Sequence, residues 1–193
     1  MKKRSVFTLI ALFATLFLAF DANAQQNDAL LDKIEQANAA VKTRKGAFSE
    51  MRQAPGMVDT QELNGAIEYE APATLTMDYS DKNEFFSIKD NTMVVKRGGK
   101  PRVFDLAKNK PMKTLSQLLL ASFDGKLREL AGSVNSTLKV EESKDAIIAT
   151  LEARKKAVKG YAKVILEYDS KSFQLINMIM EEFDGSVTTY TMK

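Results

Sequence analysis

The sequence predicts an α+β fold built on an antiparallel meander of about ten or eleven short strands, interrupted by two or three helices. Three observations carry this. Residues Leu63 to Tyr79 hold two runs of strict alternation, Leu63, Gly65, Ile67, Tyr69 and then Leu75, Met77, Tyr79, joined at Glu70-Ala71-Pro72. That is the pattern of a β-hairpin with one apolar face. Tight-turn pairs recur at Asp90-Asn91, Gly98-Gly99 and Asp184-Gly185, which spaces the strands as hairpins. Apolar residues also fall at helical spacing near the start of the chain and again after Pro111.

Taken in order, residues 1–24 read as a secretory signal peptide: a basic Met1-Lys2-Lys3-Arg4, an apolar run from Val6 to Phe20, and an Ala22-Asn23-Ala24 cleavage site before Gln25. No Cys follows that site, so no lipid anchor is expected, and residues 25–193 are expected to form a single domain. Asn27 or Asp28 caps a first helix with Leu30, Leu31, Ile34, Ala37 and Val41 on one face, and Gly46 is expected to end it. Ala47 to Gln53 follows as a strand, broken at Ala54-Pro55-Gly56. After the 63–79 hairpin come short strands at Glu84 to Lys89, Thr92 to Arg97 and Arg102 to Leu106. Leu115, Leu118, Leu119 and Phe123 then recur at helical spacing, and Leu127 and Leu130 continue as a shorter helix ending near Gly132. The meander resumes at Thr137 to Glu142, Ala146 to Glu152, Ala162 to Tyr168, Phe173 to Glu182 and Val187 to Met192.

Composition excludes several functions. Three of the 28 Lys/Arg and one of the 25 Asp/Glu lie in the leader, so its removal lowers the net charge from +3 to +1. The basic balance is a leader effect and does not point to nucleic acid. The cluster Arg154, Lys155, Lys156 and Lys159 reads as a solvated loop. With no Cys there are no disulfides, and with no His the commonest acid/base, every Ser-His arrangement and most zinc sites are removed. No catalytic residues, metal or cofactor are assigned. A carboxylate pair such as Glu68 and Asp78 is the one hydrolytic option, and these acids fall at outward positions, where solvation explains them.

A sheet of this many strands must split into a sandwich or curl toward a barrel. Either way alternation turns Leu63, Ile67, Tyr69, Leu75, Met77, Tyr79, Val164, Leu166, Tyr168, Met178 and Met180 to the interior. The methionines suit irregular gaps in a core and a surface for varied apolar ligands, and on composition and alternation alone the filled core is the stronger reading.

The order of amphipathic helix, Phe48-Ser49-Glu50, a G-x-I-x-Y-x-x-P-x-x-L-x-M-x-Y hairpin, helices around Leu115 to Gly125 and a last hairpin with Asp184-Gly185-Ser186 resembles the LolA family of periplasmic lipoprotein carriers. The resemblance runs over essentially all of residues 25–193. It implies an unclosed antiparallel β-barrel of about 11 strands, with helices covering the open end as a lid over an apolar cavity for acyl chains. Lipid-binding positions would then be Leu63, Ile67, Tyr69, Leu75, Met77, Tyr79, Val164, Leu166, Met178 and Met180, with Leu30, Leu31, Ile34, Leu118 and Leu119 as lid contacts. Well-studied members carry an arginine just before the hairpin proline that hydrogen-bonds the lid shut; that position is Ala71 here.

The function so implied is a periplasmic chaperone that binds the acyl chains of lipoproteins and moves them from the inner to the outer membrane. Acylated lipoproteins, an inner-membrane releasing complex and an outer-membrane acceptor would be its partners, with the protein a monomer. The alternative is a LolA-like module that carries or senses another lipid or glycolipid. A chain of about 16 carbons gains on the order of 12 kcal/mol on leaving water, so release must be offset by a lid or a partner. A Leu75→Glu change is expected to block cargo while the protein still folds.

Overall fold

The computed structural model describes residues 27–56, 60–80 and 82–193; the leader and its cleavage site lie outside the described residues. Helix α1, residues 27–39, leads into β1 (Thr43–Gln53), β2 (Gln61–Glu70), β3 (Thr74–Tyr79), β4 (Glu84–Lys89), β5 (Thr92–Lys96) and β6 (Arg102–Asp105). Helices α2 (Lys110–Asp124) and α3 (Leu127–Ser133) come next, and β7 (Ser136–Glu142), β8 (Ala146–Ala153), β9 (Tyr161–Asp169), β10 (Leu175–Glu182) and β11 (Val187–Met192) complete the chain.

All eleven strands join one antiparallel sheet in the order β6-β5-β4-β3-β2-β1-β11-β10-β9-β8-β7. The first strand sits at its centre because the last returns to pair with it, Glu50 opposite Tyr190. Edge strands β6 and β7 do not pair with each other, so the sheet stays unclosed, and α2 and α3 lie between them in the chain. This is the expected unclosed barrel with helices. Among the described residues no helix is long and apolar enough to cross a membrane.

The hairpin of β2 and β3 alternates without a break, its buried residues Leu63, Gly65, Ile67 and Tyr69 facing Leu75, Met77 and Tyr79 across the register Tyr69↔Leu75, Ile67↔Met77, Gly65↔Tyr79. Gly65 has a specific reason. A Cβ there would stand 2.2 Å from the Asp78 carbonyl oxygen and 2.7 Å from Cε1 of Phe48. The Phe48 ring fills that space and packs edge-on against Tyr79, with ring centroids 5.2 Å apart.

Asp90 and Asn91 both take positive φ, 48° and 61°, as a two-residue hairpin turn requires. At the last hairpin Gly185 has φ 88°, and the Ser186 N–H donates to Asp184 Oδ1 at 2.8 Å.

One boundary differs. Gly46 does not end the first helix; the helix stops at residue 39 and Gly46 lies inside β1, opposite Ile67. Pairing of Thr43 and Arg44 with Glu70 and Tyr69 draws residues 43–46 into the sheet, leaving Val41 in the turn. Likewise β10 begins at Leu175 and not at Phe173, whose φ of 56° places it in the preceding turn.

Candidate functional site

The inner face of the sheet and the helices share one core. Leu63, Ile67, Tyr69, Leu75, Met77, Tyr79, Val164, Leu166, Met178 and Met180 all point inward and are buried, as are the helix residues Leu30, Leu31, Ile34, Leu118 and Leu119. Cross-strand pairing explains the contacts, with Leu166 opposite Met178 and Val164 opposite Met180. Leu75 is fully buried, so a glutamate there would place an unpaired charge in the core and cost the fold along with any binding, which corrects the expectation for Leu75→Glu.

Two spaces flank α2, and a separate surface pocket of about 310 Å³ lies beside α3, lined by Arg128, Ala131, Gly132, Asn135, Ser136, Leu138 and Arg154. A cavity of about 140 Å³ is lined by Met77, Tyr79, Phe86, Val95, Arg97, Met112, Leu115, Leu119 and Tyr190. On the opposite flank of α2 a gap of about 50 Å³ touches Leu118 and Val164. Of the residues singled out from sequence, Met77, Tyr79, Leu119, Leu118 and Val164 border these two spaces, and the rest are buried. A cavity of roughly 150 Å³ holds a benzene-sized group. Taking up a long acyl chain here requires α2 to shift.

The C-terminal half of α2 is tied down. The Tyr168 hydroxyl donates to the Ser122 carbonyl at 2.9 Å, and the Ser122 hydroxyl donates to the Leu118 carbonyl at 2.5 Å. The Tyr69 ring stacks on Phe123 with centroids 5.3 Å apart, and the Arg44 guanidinium carbon lies 5.6 Å from the centre of the Phe123 ring. Arg44 also donates to Asn38 Oδ1 of α1 at 2.9 Å. Asn38 in turn donates to the carbonyls of Ile34 at 2.7 Å and Phe173 at 2.8 Å, fixing α1 to the turn before β10. Ala71 supplies no polar group here. A guanidinium nevertheless reaches the helices from the next strand over, since Arg44 stands opposite Tyr69. Burial lowers the pKa of Arg44, and burial followed by the nearby Asp124 pushes the Tyr69 phenol up to about 12.

Gly125, with φ 76°, ends α2 where a Cβ would come within 2.9 Å of the Ile34 carbonyl oxygen, so α1 and α2 meet backbone to backbone. Among the described residues the N-terminal half of α2 has the Asn109 cap, which accepts from the Met112 N–H at 3.2 Å, and its Met112 and Leu115 pack only partly buried against the core, with cavities on both flanks.

At that loose end lies a polar cluster. Glu50 is fully buried on the inner face of β1; it accepts from the Tyr79 hydroxyl and from Arg52 Nε, and Arg97 comes within 4.0 Å. For Arg52, burial pulls the pKa down, but the hydrogen bond and charge of Glu50 outweigh it and leave it raised. The phenols of Tyr79 and Tyr190 are pushed up, first by burial and then by Glu50.

The acids of the chain are thus not all outward. Glu50 was missed, with Arg44, Arg52 and Arg97, although period-two alternation from Phe48 places Arg44, Glu50 and Arg52 on the inner face of β1. Glu68 and Asp78 are exposed on the outer face of the hairpin, Glu68 paired with Lys45 at 2.6 Å. Among the described residues no group of three His, Cys, Asp or Glu is placed to hold a metal ion.

The molecule is an unclosed barrel whose apolar interior is roofed by helices fixed at one end. No protein-family model matches the chain, and no curated protein matches it in sequence. Among solved structures it is similar to a LolA superfamily protein from Nitrosomonas europaea, at 12% identity and TM-score 0.42, over 86% of this chain and 91% of that one. It is also similar to an outer membrane lipoprotein-sorting protein domain from Vibrio parahaemolyticus, at 8% identity and TM-score 0.48, over 89% and 92%. A third similar structure is MucB, at 11% identity and TM-score 0.48, over 87% of this chain and 57% of that one. These likenesses are ones of layout, and no ligand or partner follows from them.

Proposed function

We propose that this protein is a lipid carrier of the cell envelope that shelters acyl chains between the inner face of its sheet and α2. The observation that carries this is the asymmetry of α2: pinned at Ser122 and Phe123, bordered by cavities at Met112, Leu115 and Leu119. A helix fixed at one end and loosely packed at the other can lift away from an apolar wall without unfolding the sheet. In this reading Met77, Tyr79, Phe86 and Val95 are the first wall residues the chain meets, and Ile67, Leu75, Leu166, Met178 and Met180 line the path as α2 lifts. Transfer consists of transport without covalent chemistry.

The finer reading is carriage of lipoproteins across the periplasm, after cleavage of the leader, from an inner-membrane releasing complex to an outer-membrane acceptor. Depletion followed by fractionation tests it: lipoproteins of the outer membrane should accumulate at the inner membrane. Leu115→Glu should fail to restore their localisation while the protein remains folded, since Leu115 is only partly buried at the cavity edge. Normal lipoprotein sorting after depletion contradicts the lipoprotein role. A second reading, carriage of another lipid, is favoured by one feature, the basic rim of the cavity.

A further inference from the structure

We propose that the mouth of the cavity beside α2 binds the anionic headgroup of a phospholipid, whose tail enters beneath the helix. The inference rests on the reading above that the interior accepts acyl chains, and adds the class of lipid.

The apolar cavity does not end blindly. It shares Val95, Arg97 and Met112 with an open pocket of about 510 Å³ that is otherwise lined by Gly98, Lys100, Pro101, Arg102 and Phe104. Three cations and no carboxylate line this mouth. Glu50, on the inner side, does not neutralise it. That single carboxylate is already engaged by Arg52 and Tyr79, so Arg52 and Arg97 together leave one positive charge in excess before Lys100 and Arg102 are counted. The start of α2 adds to the same sign, with Lys110 and no acidic residue in its first turn.

Charge and apolar space are arranged in series. Met112, at the mouth, and Leu119, at the inner end, are separated by roughly 10 Å along α2, enough for a stretch of alkyl chain behind a headgroup at Arg97. An alkyl tail suits this path better than an acidic peptide, because six of its nine lining residues, Met77, Phe86, Val95, Met112, Leu115 and Leu119, are apolar and would leave most of a peptide backbone unpaired. Free phosphate would meet half-exposed cations screened by water, Arg97 having 52% of its side chain exposed. The tail thus supplies affinity and the cations select the headgroup.

Calorimetric titration of the purified protein with palmitoyl lysophosphatidylglycerol and palmitoyl lysophosphatidylcholine, both below micelle formation, tests the proposal. The anionic lipid is expected to bind at least about fivefold more tightly, the effect of one basic side chain at an anionic lipid surface. A Lys100→Gln, Arg102→Gln double variant should remove most of that preference by weakening the anionic lipid more than the zwitterionic one. Both side chains are exposed, so the variant keeps the fold. Equal affinity for the two lipids in the unaltered protein overturns the headgroup site but leaves the acyl-binding interior standing. Binding of neither overturns both. A preference that survives in the double variant places the anion elsewhere and overturns the proposal. So does binding seen only with phosphatidylglycerol vesicles, which marks a membrane-docking face.

Discussion

Leu119→Ala separates a roof that lifts from a roof that merely covers. Leu119 is 3% exposed and packs from α2 toward Met77 and Tyr79 beside the cavity of about 140 Å³. Truncating a buried leucine costs about 2–5 kcal/mol. The low end applies, because part of its surroundings is already open, so the empty protein should lose about 2 kcal/mol of stability. The contacts removed are those that α2 must give up when it lifts, so opening becomes cheaper by a similar amount. The acyl ligand loses about 1 kcal/mol of contact with the missing side chain. The difference leaves binding tighter by about 1 kcal/mol, roughly fivefold. Urea unfolding measures the stability, and titration with palmitate measures the affinity. Lower stability with unchanged or weaker binding would refute the lifting of α2.

Tyr168→Phe acts at the pinned end. It removes the hydrogen bond to the Ser122 carbonyl and should cost about 1 kcal/mol of stability by urea unfolding. Palmitate affinity should stay within about twofold, since that end of α2 does not move; a larger change relocates the hinge. Glu50→Ala leaves the largely buried Arg52 without its counter-ion and should cost about 3 kcal/mol by the same assay; a cost below about 1 kcal/mol would mean Arg52 finds water instead. All five tyrosines have raised pKa values, Tyr69 and Tyr161 to about 12, with burial the leading cause in each. Their folded pKa values lie above the unfolded value near 10, so their contribution to stability is complete below about pH 10 and is lost as pH rises toward 12. Phenolate absorbance should appear in one step with loss of the fold; gradual ionisation of a folded protein near pH 10 contradicts the burial of these phenols.

The inner wall was legible because strand side chains alternate with a period of two, and every apolar residue assigned to it from 63 to 79 is buried. Turns were legible where positive φ demands Asn, Asp or Gly, at Asp90-Asn91 and Asp184-Gly185. The end of α1 was not, because Gly46 meets no requirement of the helix; it lies where a Cβ would approach the Lys193 oxygen at 3.2 Å, a contact set by chain segments nearly 150 residues apart. The Glu50 cluster escaped for a different reason. A charged residue on an apolar face is ordinarily solvated, and only the convergence of Tyr79 from β3 with Arg52 from its own strand makes burial tolerable. Cavity volume has no sequence signature, since it depends on how side chains from α2 and four strands fail to fill the space between them.

Photo-crosslinking with a fatty acid bearing a diazirine on its tail, followed by mass-spectrometric mapping of the adducts, tests the central claim most directly. If acyl chains enter between α2 and the sheet, adducts should fall on Met77, Phe86, Met112, Leu115 and Leu119 and should be lost in competition with unlabelled palmitate. Adducts confined to the exposed apolar residues Met51, Val103 and Val158 would contradict it.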